Sequence, residues 1–151
     1  MSFLHLCQSL SVLSCGLFTG AAIFIHYVEH PSRMAVGTQY AASVFPGSYR
    51  RAAVMQAGLA ILCFVSSMLA CVAGAGIMWL FTGLLMFSVV PFTLIVMMPV
   101  NKKLLDPKVD KYSASTKSLL QTWGKLHGVR SVISFCALLL FLNQILPVVN
   151  K

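Results

Sequence analysis

Four long runs of apolar residues, separated by segments that carry nearly all of the charge, dominate the pattern along this 151-residue chain. The runs cover approximately residues 6–25, 52–73, 77–98 and 129–146, and Arg130 is the only charged residue within them. Each is close to the roughly 20 apolar residues with which an α-helix spans a hydrocarbon core about 30 Å thick. Continuous runs do not fit the alternating strands of a membrane β-barrel. The pattern predicts an all-α, membrane-spanning antiparallel four-helix bundle that forms one domain.

The composition supports a membrane environment. Hydrophobic residues make up 58% of the chain and charged residues only 9%, whereas soluble domains carry about 25% charge. The first run lacks a basic leading segment and is longer than the 7 to 15 apolar residues of a secretion signal, so we expect it to be retained. The five cysteines lie in the apolar runs without metal-type spacing, which indicates reduced packing residues: Cys7, Cys15, Cys63, Cys71 and Cys136.

Basic residues are distributed unevenly between the two sides of the predicted bundle. The connections at 26–51 and 99–130 hold ten of the eleven, and Lys151 lies on the other side. By the positive-inside rule both connections are cytoplasmic, and both termini and the turn at 73–76 are not. This topology, in the endoplasmic reticulum of a eukaryote or the plasma membrane of a bacterium, accounts for the net charge of +8. No recognition motif accompanies the charge, so nucleic acid is not a predicted partner.

Both cytoplasmic connections are longer than the 2 to 8 residues usual between bundle helices, so we expect them to carry structure. In the second, Asp106-Pro107 predicts a break, and Ser113 or Ser115 can cap a helix that runs on into the fourth span. In the first span, Gly16 and Gly20 form a GxxxG pattern that permits close helix packing. That packing could lie inside the monomer or in a homo-oligomer.

Polar residues gather at the cytoplasmic ends of the four predicted helices. Trp123, His127 and Arg130 share one face of the fourth helix, and Tyr49 and Gln56 share one face of the second. An antiparallel bundle brings such ends together, which predicts one pocket at that side of the membrane. Its candidate catalytic residues are Glu29, His30 and His127, and its candidate substrate-binding residues are Arg33, Tyr49, Arg50, Gln56, Asn101, Trp123 and Arg130.

Three kinds of chemistry are open to these residues. Residues 26–30 match the H-x-x-E-H pattern of inverted zinc proteases, but the match lies at a helix end before Pro31 and lacks a third ligand, which disfavours that reading. Glu29, His30 and His127 could instead bind Fe, Cu or Zn as a two-histidine, one-carboxylate site. Alternatively, Glu29 pairs with Arg33 or Arg130 as a structural tie, or the group performs acid–base chemistry without a metal.

Five segments resemble one family of small four-helix membrane proteins, the anthrone-oxygenase-like family. They are Glu-His-Pro-Ser-Arg at 29–33, Ser-Tyr-Arg-Arg-Ala at 48–52, Pro-Phe-Thr at 91–93, Met-Pro-Val-Asn-Lys-Lys-Leu at 98–104 and Trp-Gly-Lys-Leu-His-Gly-Val-Arg at 123–130. The resemblance covers nearly the whole chain in order. It implies an oxygenase that converts a hydrophobic, anthrone-like or phenolic substrate with molecular oxygen and has no required cofactor.

The resemblance also implies roles for the candidate residues. His127 or His30 would remove a proton from the substrate carbon, with Glu29 fixing the imidazole tautomer. Arg130, Arg50 and Asn101 would hold the developing oxyanion, and the rings of Trp123 and Tyr49 would stack on the substrate. Substrate would arrive sideways from the lipid or from the cytoplasmic interface.

A second class of function is a non-enzymatic scaffold or a lipid- or small-molecule-binding protein. Transport is disfavoured because the polar positions fade beyond Gln56 and Thr93, whereas a transporter needs a polar path through the membrane. A microsomal glutathione-transferase-like enzyme fits the size and helix count, but no motif supports it.

Overall fold

Four long helices make up nearly all of residues 2–149, which the computed structural model describes. They are α1 (Phe3–Val36), α2 (Thr38–Ala75), α3 (Ile77–Leu105) and α4 (Ala114–Val149), and each is long and apolar enough to cross a membrane. Successive helices reverse direction, so α1 packs on α2 and α4, and α3 packs on the same two. No strand forms in this part of the chain, which confirms the predicted fold class. Lys151, used in the orientation argument, lies outside the described residues.

Glycines make the two tight reversals. Gly37, with φ 128° and ψ 161°, is the single residue between α1 and α2, while Gly74 (φ 97°) and Gly76 (φ 95°) reverse the chain between α2 and α3. A side chain would be strained at these positive φ angles. The first predicted connection is therefore almost entirely helix: α1 and α2 continue beyond the apolar runs and meet at Gly37. We call this end of the bundle, which also holds residues 106–113, the basic end.

Two helices contain a wide turn just before a proline. In α1 the turn is Ile25–Glu29, where the His30 N–H donates to the carbonyl five residues earlier, and Pro31 follows. In α3 it is Thr93–Met97, with Pro99 just beyond. Proline has no N–H and its ring crowds the preceding turn, and an extra residue in that turn relieves both problems. The helices therefore continue past their prolines.

The second connection breaks where the sequence predicted. After α3 ends, the Asp106 and Asp110 carboxylates accept from the backbone N–H groups of Lys108 (2.8 Å) and Tyr112 (3.0 Å). The Ser113 hydroxyl accepts from the Thr116 N–H at 3.2 Å, so Ser113 is the cap of α4. From there α4 runs without interruption through the fourth apolar stretch, which confirms the predicted continuous helix.

The interior combines aromatic packing with small polar groups. Towards the glycine turn at 74–76, Trp79 packs on Phe141, and the hydroxyls of Ser11 and Ser66 form a hydrogen bond of 2.9 Å between α1 and α2. Such small side chains let membrane helices pack closely. All five cysteines are free. A second apolar cluster, around Phe45, Leu120 and Trp123, fills the basic end, and the candidate site lies between the two.

Candidate functional site

A cavity of about 170 Å³ lies between the four helices, in the half of the bundle nearer the basic end. Its wall is mostly apolar, with small residues on α2 and a polar face formed by α2 and α4. Two lining residues, Ala57 and Leu94, are also exposed on the outer surface, so the cavity opens sideways between α2 and α3. The lining residues are Phe18, Ile25, Ser48, Tyr49, Ala52, Ala53, Gln56, Ala57, Ala60, Val89, Val90, Thr93, Leu94, Met98, Trp123, His127 and Arg130.

Arg130 is the principal polar group of this cavity. Its side chain is only 8% exposed, its Nη2 donates to the Gln56 Oε1 at 2.8 Å, and its guanidinium lies 5.5 Å from the centre of the Phe18 ring. Gln56, on α2, is 2% exposed. The amide and the aromatic face therefore hold the cation in place, but neither neutralises it.

No carboxylate side chain pairs with Arg130 in the part of the chain that the structure describes. The whole sequence has three acidic residues. Glu29 pairs with Arg33 at 3.0 Å, while Asp106 and Asp110 bond backbone N–H groups in the loop after α3. A buried charge without a counter-charge is costly, so the site is suited to an anionic ligand group.

Several other buried atoms of the cavity lining have no hydrogen-bond partner among the described residues. They are the Gln56 Nε2, the Trp123 Nε1, the His127 Nδ1 and the Arg130 Nε. Each such atom costs about 1–3 kcal/mol when left unpaired in an apolar interior. Three of the four are donors, because an amide nitrogen, an indole N–H and a guanidinium N–H cannot accept. Three residues of the cavity lining thus carry donors for which the described chain supplies no acceptor.

Tyr49 contributes a hydroxyl that is oriented by a neighbouring helix. The Asn101 amide of α3, fully buried, donates to the Tyr49 oxygen at 3.0 Å. Because this bond uses an acceptor position of the phenol, the Tyr49 proton stays available for a ligand in the cavity. Phe45 stacks on the Tyr49 ring at 5.5 Å and fixes its plane. Asn101 therefore acts on the cavity through Tyr49.

Glu29, His30 and Arg33 form a separate group on the far side of the Trp123 ring. The Arg33 guanidinium lies 5.0 Å from the Trp123 ring centre, and the His30 ring lies 5.2 Å from it. None of the three lines the cavity. Ser48 joins the two groups, because it lines the cavity and its hydroxyl accepts from the Arg33 Nη1 at 3.2 Å.

Arg33, rather than Glu29, fixes the tautomer of His30. The Arg33 Nε and Nη2 lie 3.2 Å and 3.0 Å from the His30 Nδ1. Since a guanidinium only donates, the Nδ1 must be the acceptor, and the ring proton lies on the Nε2. The Glu29 carboxylate accepts from the Arg33 Nη1 at 3.0 Å, which is the structural tie that the sequence left open. The expected role of Glu29 as the partner of an imidazole is corrected accordingly.

The structure does not bring the predicted metal ligands together. Within the described residues, no three His, Cys, Asp or Glu side chains are grouped so that they could hold an ion. The physical reason is Arg33, whose guanidinium occupies the positions next to both Glu29 and the His30 Nδ1. His127 lies on the other side of Trp123 and lines the cavity.

The single pocket expected from the sequence is therefore two adjoining groups. Tyr49, Gln56, Trp123, His127 and Arg130 line one cavity, with Asn101 bonded to Tyr49. Glu29, His30 and Arg33 lie behind Trp123. Arg50 belongs to neither group: it is exposed, because the residue after Tyr49 on a helix points about 100° away from it.

Sequence reasoning missed two features of the site. The first is the row of small residues on α2, Ala53 and Ala57 among them, that leaves room for the cavity. The second is Gly124 and Gly128 of α4, a GxxxG pattern opposite His30 and His26. A Cβ at Gly124 would lie 2.5 Å from the His30 Nε2, so these glycines permit the α1–α4 contact. The signal was present at 124–128 in the same form as at Gly16 and Gly20.

Comparisons with known proteins agree with the resemblance noted in the sequence. The family model described as anthrone oxygenase matches residues 45–140, about two-thirds of the chain. The matched region contains the lining residues of α2, α3 and α4, including Tyr49, His127 and Arg130. Neither the curated proteins nor the solved structures gave a match.

Proposed function

The chain belongs to the anthrone oxygenase family, and from this premise we propose that it is a membrane-embedded oxygenase of hydrophobic aromatic substrates, of the anthrone or phenol type. The observation that carries the proposal is Arg130, a buried cation with no carboxylate partner in the described chain, which shares an apolar cavity with the imidazole of His127. This pairing suits a substrate that loses a proton from carbon and gains negative charge on oxygen.

Proton removal is the first step. His127 is the base that we favour, because it lines the cavity whereas His30 does not. It takes a proton from the carbon between the two aromatic rings of an anthrone, and the electron pair of that C–H bond moves onto the ketone oxygen. A positioned base typically contributes 10²- to 10⁴-fold to the rate.

Hydrogen-bond donors of the cavity lining stabilise the resulting enolate. The Arg130 guanidinium, the Gln56 amide and the Tyr49 hydroxyl bind the enolate oxygen, with each well-placed donor contributing about 10²- to 10³-fold. Trp123 forms a flat wall for the ring system. These donors do not need to reorganise during the reaction, because the bonds to Asn101 and within the Arg130–Gln56 pair already orient them.

Molecular oxygen completes the reaction. The electron-rich carbon reacts with O₂ to give a hydroperoxide, and loss of water from that group leaves the quinone carbonyl. One anthrone and one O₂ give one anthraquinone and one water, so the balance requires no added reductant. The apolar wall of the cavity suits both O₂ and the rings.

Size and access favour a flat substrate that arrives from the bilayer. The enclosed volume of about 170 Å³ is similar to the 150 Å³ cavity that holds benzene in another protein, so it accepts about one ring. The reacting carbon and the ketone belong to the central ring of a tricyclic substrate, so that ring lies in the cavity and the outer rings extend towards the opening beside Ala57 and Leu94. By the charge argument, this half of the bundle faces the cytoplasm.

The test is His127→Gln in purified protein supplied with an anthrone. We expect the turnover, followed as O₂ uptake and quinone absorbance, to fall by at least about 100-fold because the base is lost. His5→Gln is the matched control, since His5 is exposed near the start of α1, outside the cavity. A folded His127→Gln protein that oxidises the anthrone at the unchanged rate contradicts the proposal.

A second candidate function is reversible binding of an acidic, lipophilic molecule without turnover. The sideways opening together with the unpaired Arg130 favours it, because both features suit a ligand with an anionic oxygen and an apolar body. Saturable binding of a phenol to the unaltered protein with no O₂ uptake would select this function over the oxygenase.

A further inference from the structure

A groove on the outer surface lies between α1 and α4, on the opposite side of these helices from the cavity. Its polar lining residues are His26, Tyr27, His30, Gln121 and Lys125, and Gly124 forms part of its floor. None of these polar residues lines the cavity. The proposed oxygenase reaction makes no use of the groove.

Two imidazoles are held against the glycines of α4 in this groove. The His30 ring packs on Gly124 and the His26 ring packs on Gly128, at 2.5 Å and 2.7 Å from where a Cβ would lie. Because Arg33 bonds the His30 Nδ1, the Nε2 end carries the proton and faces Gly124 at the groove floor. The His26 Nδ1 is buried and has no partner among the described residues. Both rings thus form part of the groove wall.

The remaining polar lining adds charge and further donors. Lys125 is an exposed ammonium group, Gln121 has an amide, and Tyr27, which is 72% exposed, has a hydroxyl. No carboxylate is present among the described lining residues, and the nearby Glu29 is held by Arg33. Several donors, one of them a cation, with no competing acid make a site for an oxyanion that accepts several hydrogen bonds.

The surface next to the groove is apolar. On α4, Val129 and Val132 follow Lys125 by one and two turns on the same face and are exposed, and Phe24 of α1 is exposed one turn from Tyr27. The groove therefore lies where the lipid-facing surface meets the basic end. A headgroup in the groove would have its acyl chains along Val129 and Val132.

We propose that this groove binds the phosphate of an anionic phospholipid. The phosphate oxygens accept from Lys125, Gln121 and Tyr27, while the acyl chains lie on the adjoining valines. Binding at this position ties α1 to α4 at the basic end. The site is independent of the oxygenase reaction, so a failure of one proposal leaves the other standing.

The experiment is native mass spectrometry of the detergent-solubilised full chain titrated with phosphatidylglycerol. We expect Lys125→Gln to weaken binding by about tenfold, the effect of losing one charge-assisted bond. Lys117→Gln is the matched control: Lys117 is exposed on the same helix but lies outside the groove, and its removal changes the net charge equally. We expect that variant to bind like the unaltered protein.

Two further ligands test whether the site recognises the phosphate group of a lipid, rather than the acyl chains alone or free phosphate. Diacylglycerol, which lacks the phosphate, is expected to bind much more weakly, and inorganic phosphate alone is expected not to displace the lipid. The assignment would be overturned if Lys125→Gln and Lys117→Gln lost equal amounts of lipid affinity. It would also be overturned if diacylglycerol bound as tightly as phosphatidylglycerol, or if inorganic phosphate displaced the lipid. Circular dichroism of both variants establishes that they are folded, and Gln121→Leu, with an expected loss in the same direction, probes the groove without altering charge.

Discussion

Arg130 shows what a buried cation without a carboxylate partner among the described residues costs in stability. Burying an ion costs several kcal/mol even after the protein relaxes. The hydrogen bond to the Gln56 amide and the contact with the Phe18 ring offset only part of this desolvation cost. Arg33 is buried to a similar extent, but Glu29 pairs with it. The contrast is between a buried cation that has a carboxylate partner and one that has none among the described residues.

Replacing Arg130 by methionine is expected to separate stability from function. The change removes a buried charge worth several kcal/mol of desolvation and leaves the Gln56 Oε1 unpaired, at a cost of about 1–3 kcal/mol. We therefore expect the thermal midpoint in detergent to stay the same or rise, while kcat/KM for an anthrone falls by about 10²-fold.

Arg51→Met is the control for this change, because Arg51 is exposed on α2 and should affect neither quantity. Arg130 would instead be a structural residue if the methionine variant unfolded several degrees below the unaltered protein. The same midpoint measurement on both variants decides the matter.

At the scale of the helices, the wide turn at Ile25–Glu29 determines where His30 points. An added residue turns everything beyond it by about 100° relative to a regular helix. His30 faces α4 and the outer groove, whereas the sequence predicted that it shares one pocket with His127. Pro31 was visible in the sequence, but a proline can kink, end or widen a helix, and the choice depends on packing.

The two GxxxG patterns are expected to respond differently to alanine. A Cβ at Gly124 or Gly128 would meet an imidazole at 2.5 Å or 2.7 Å, so each alanine should lower the free energy of unfolding by about 1–3 kcal/mol. Gly20→Ala meets nothing within 4 Å and should be neutral or stabilising by up to about 1 kcal/mol. Denaturation in mixed micelles measures all three variants.

An unchanged stability in Gly124→Ala would mean that α1 and α4 do not approach as closely as described. A loss in Gly20→Ala would instead point to a contact with a second chain at that surface, which is the homo-oligomer that the sequence left open. The two results cannot be confused, because the glycines lie on different helices.

Much of the fold was predictable because it depends on local chemistry. Apolar runs, the break at Asp106-Pro107 and the Ser113 cap are properties of neighbouring residues, and the face shared by Trp123, His127 and Arg130 follows from helical spacing alone. The division of the site was not predictable, because it depends on which side of the Trp123 ring each helix passes. Likewise, whether a GxxxG pattern packs against another helix depends on which side chains of that helix lie opposite it, and the pattern itself does not show this.

For the molecule as a whole, the uneven distribution of basic residues predicts a topology that remains to be measured. We expect a glycosylation acceptor fused after Lys151 to be modified in the endoplasmic reticulum, and one inserted between Lys108 and Asp110 to stay unmodified. The two constructions carry the same acceptor, so each controls for the other. The reverse pattern would place the cavity in the opposite leaflet from the one proposed.

Because Trp123 lies between the cavity and the Glu29–His30–Arg33 group, its fluorescence should report on ligand binding. Its indole touches the cavity on one side and the Arg33 cation and His30 ring on the other, whereas Trp79, the second tryptophan, is buried beside Phe141 in the other half of the bundle. In a Trp79→Phe variant, the wavelength and intensity of Trp123 fluorescence would change when a ligand occupies the cavity. The measurement needs no label and no knowledge of the natural substrate.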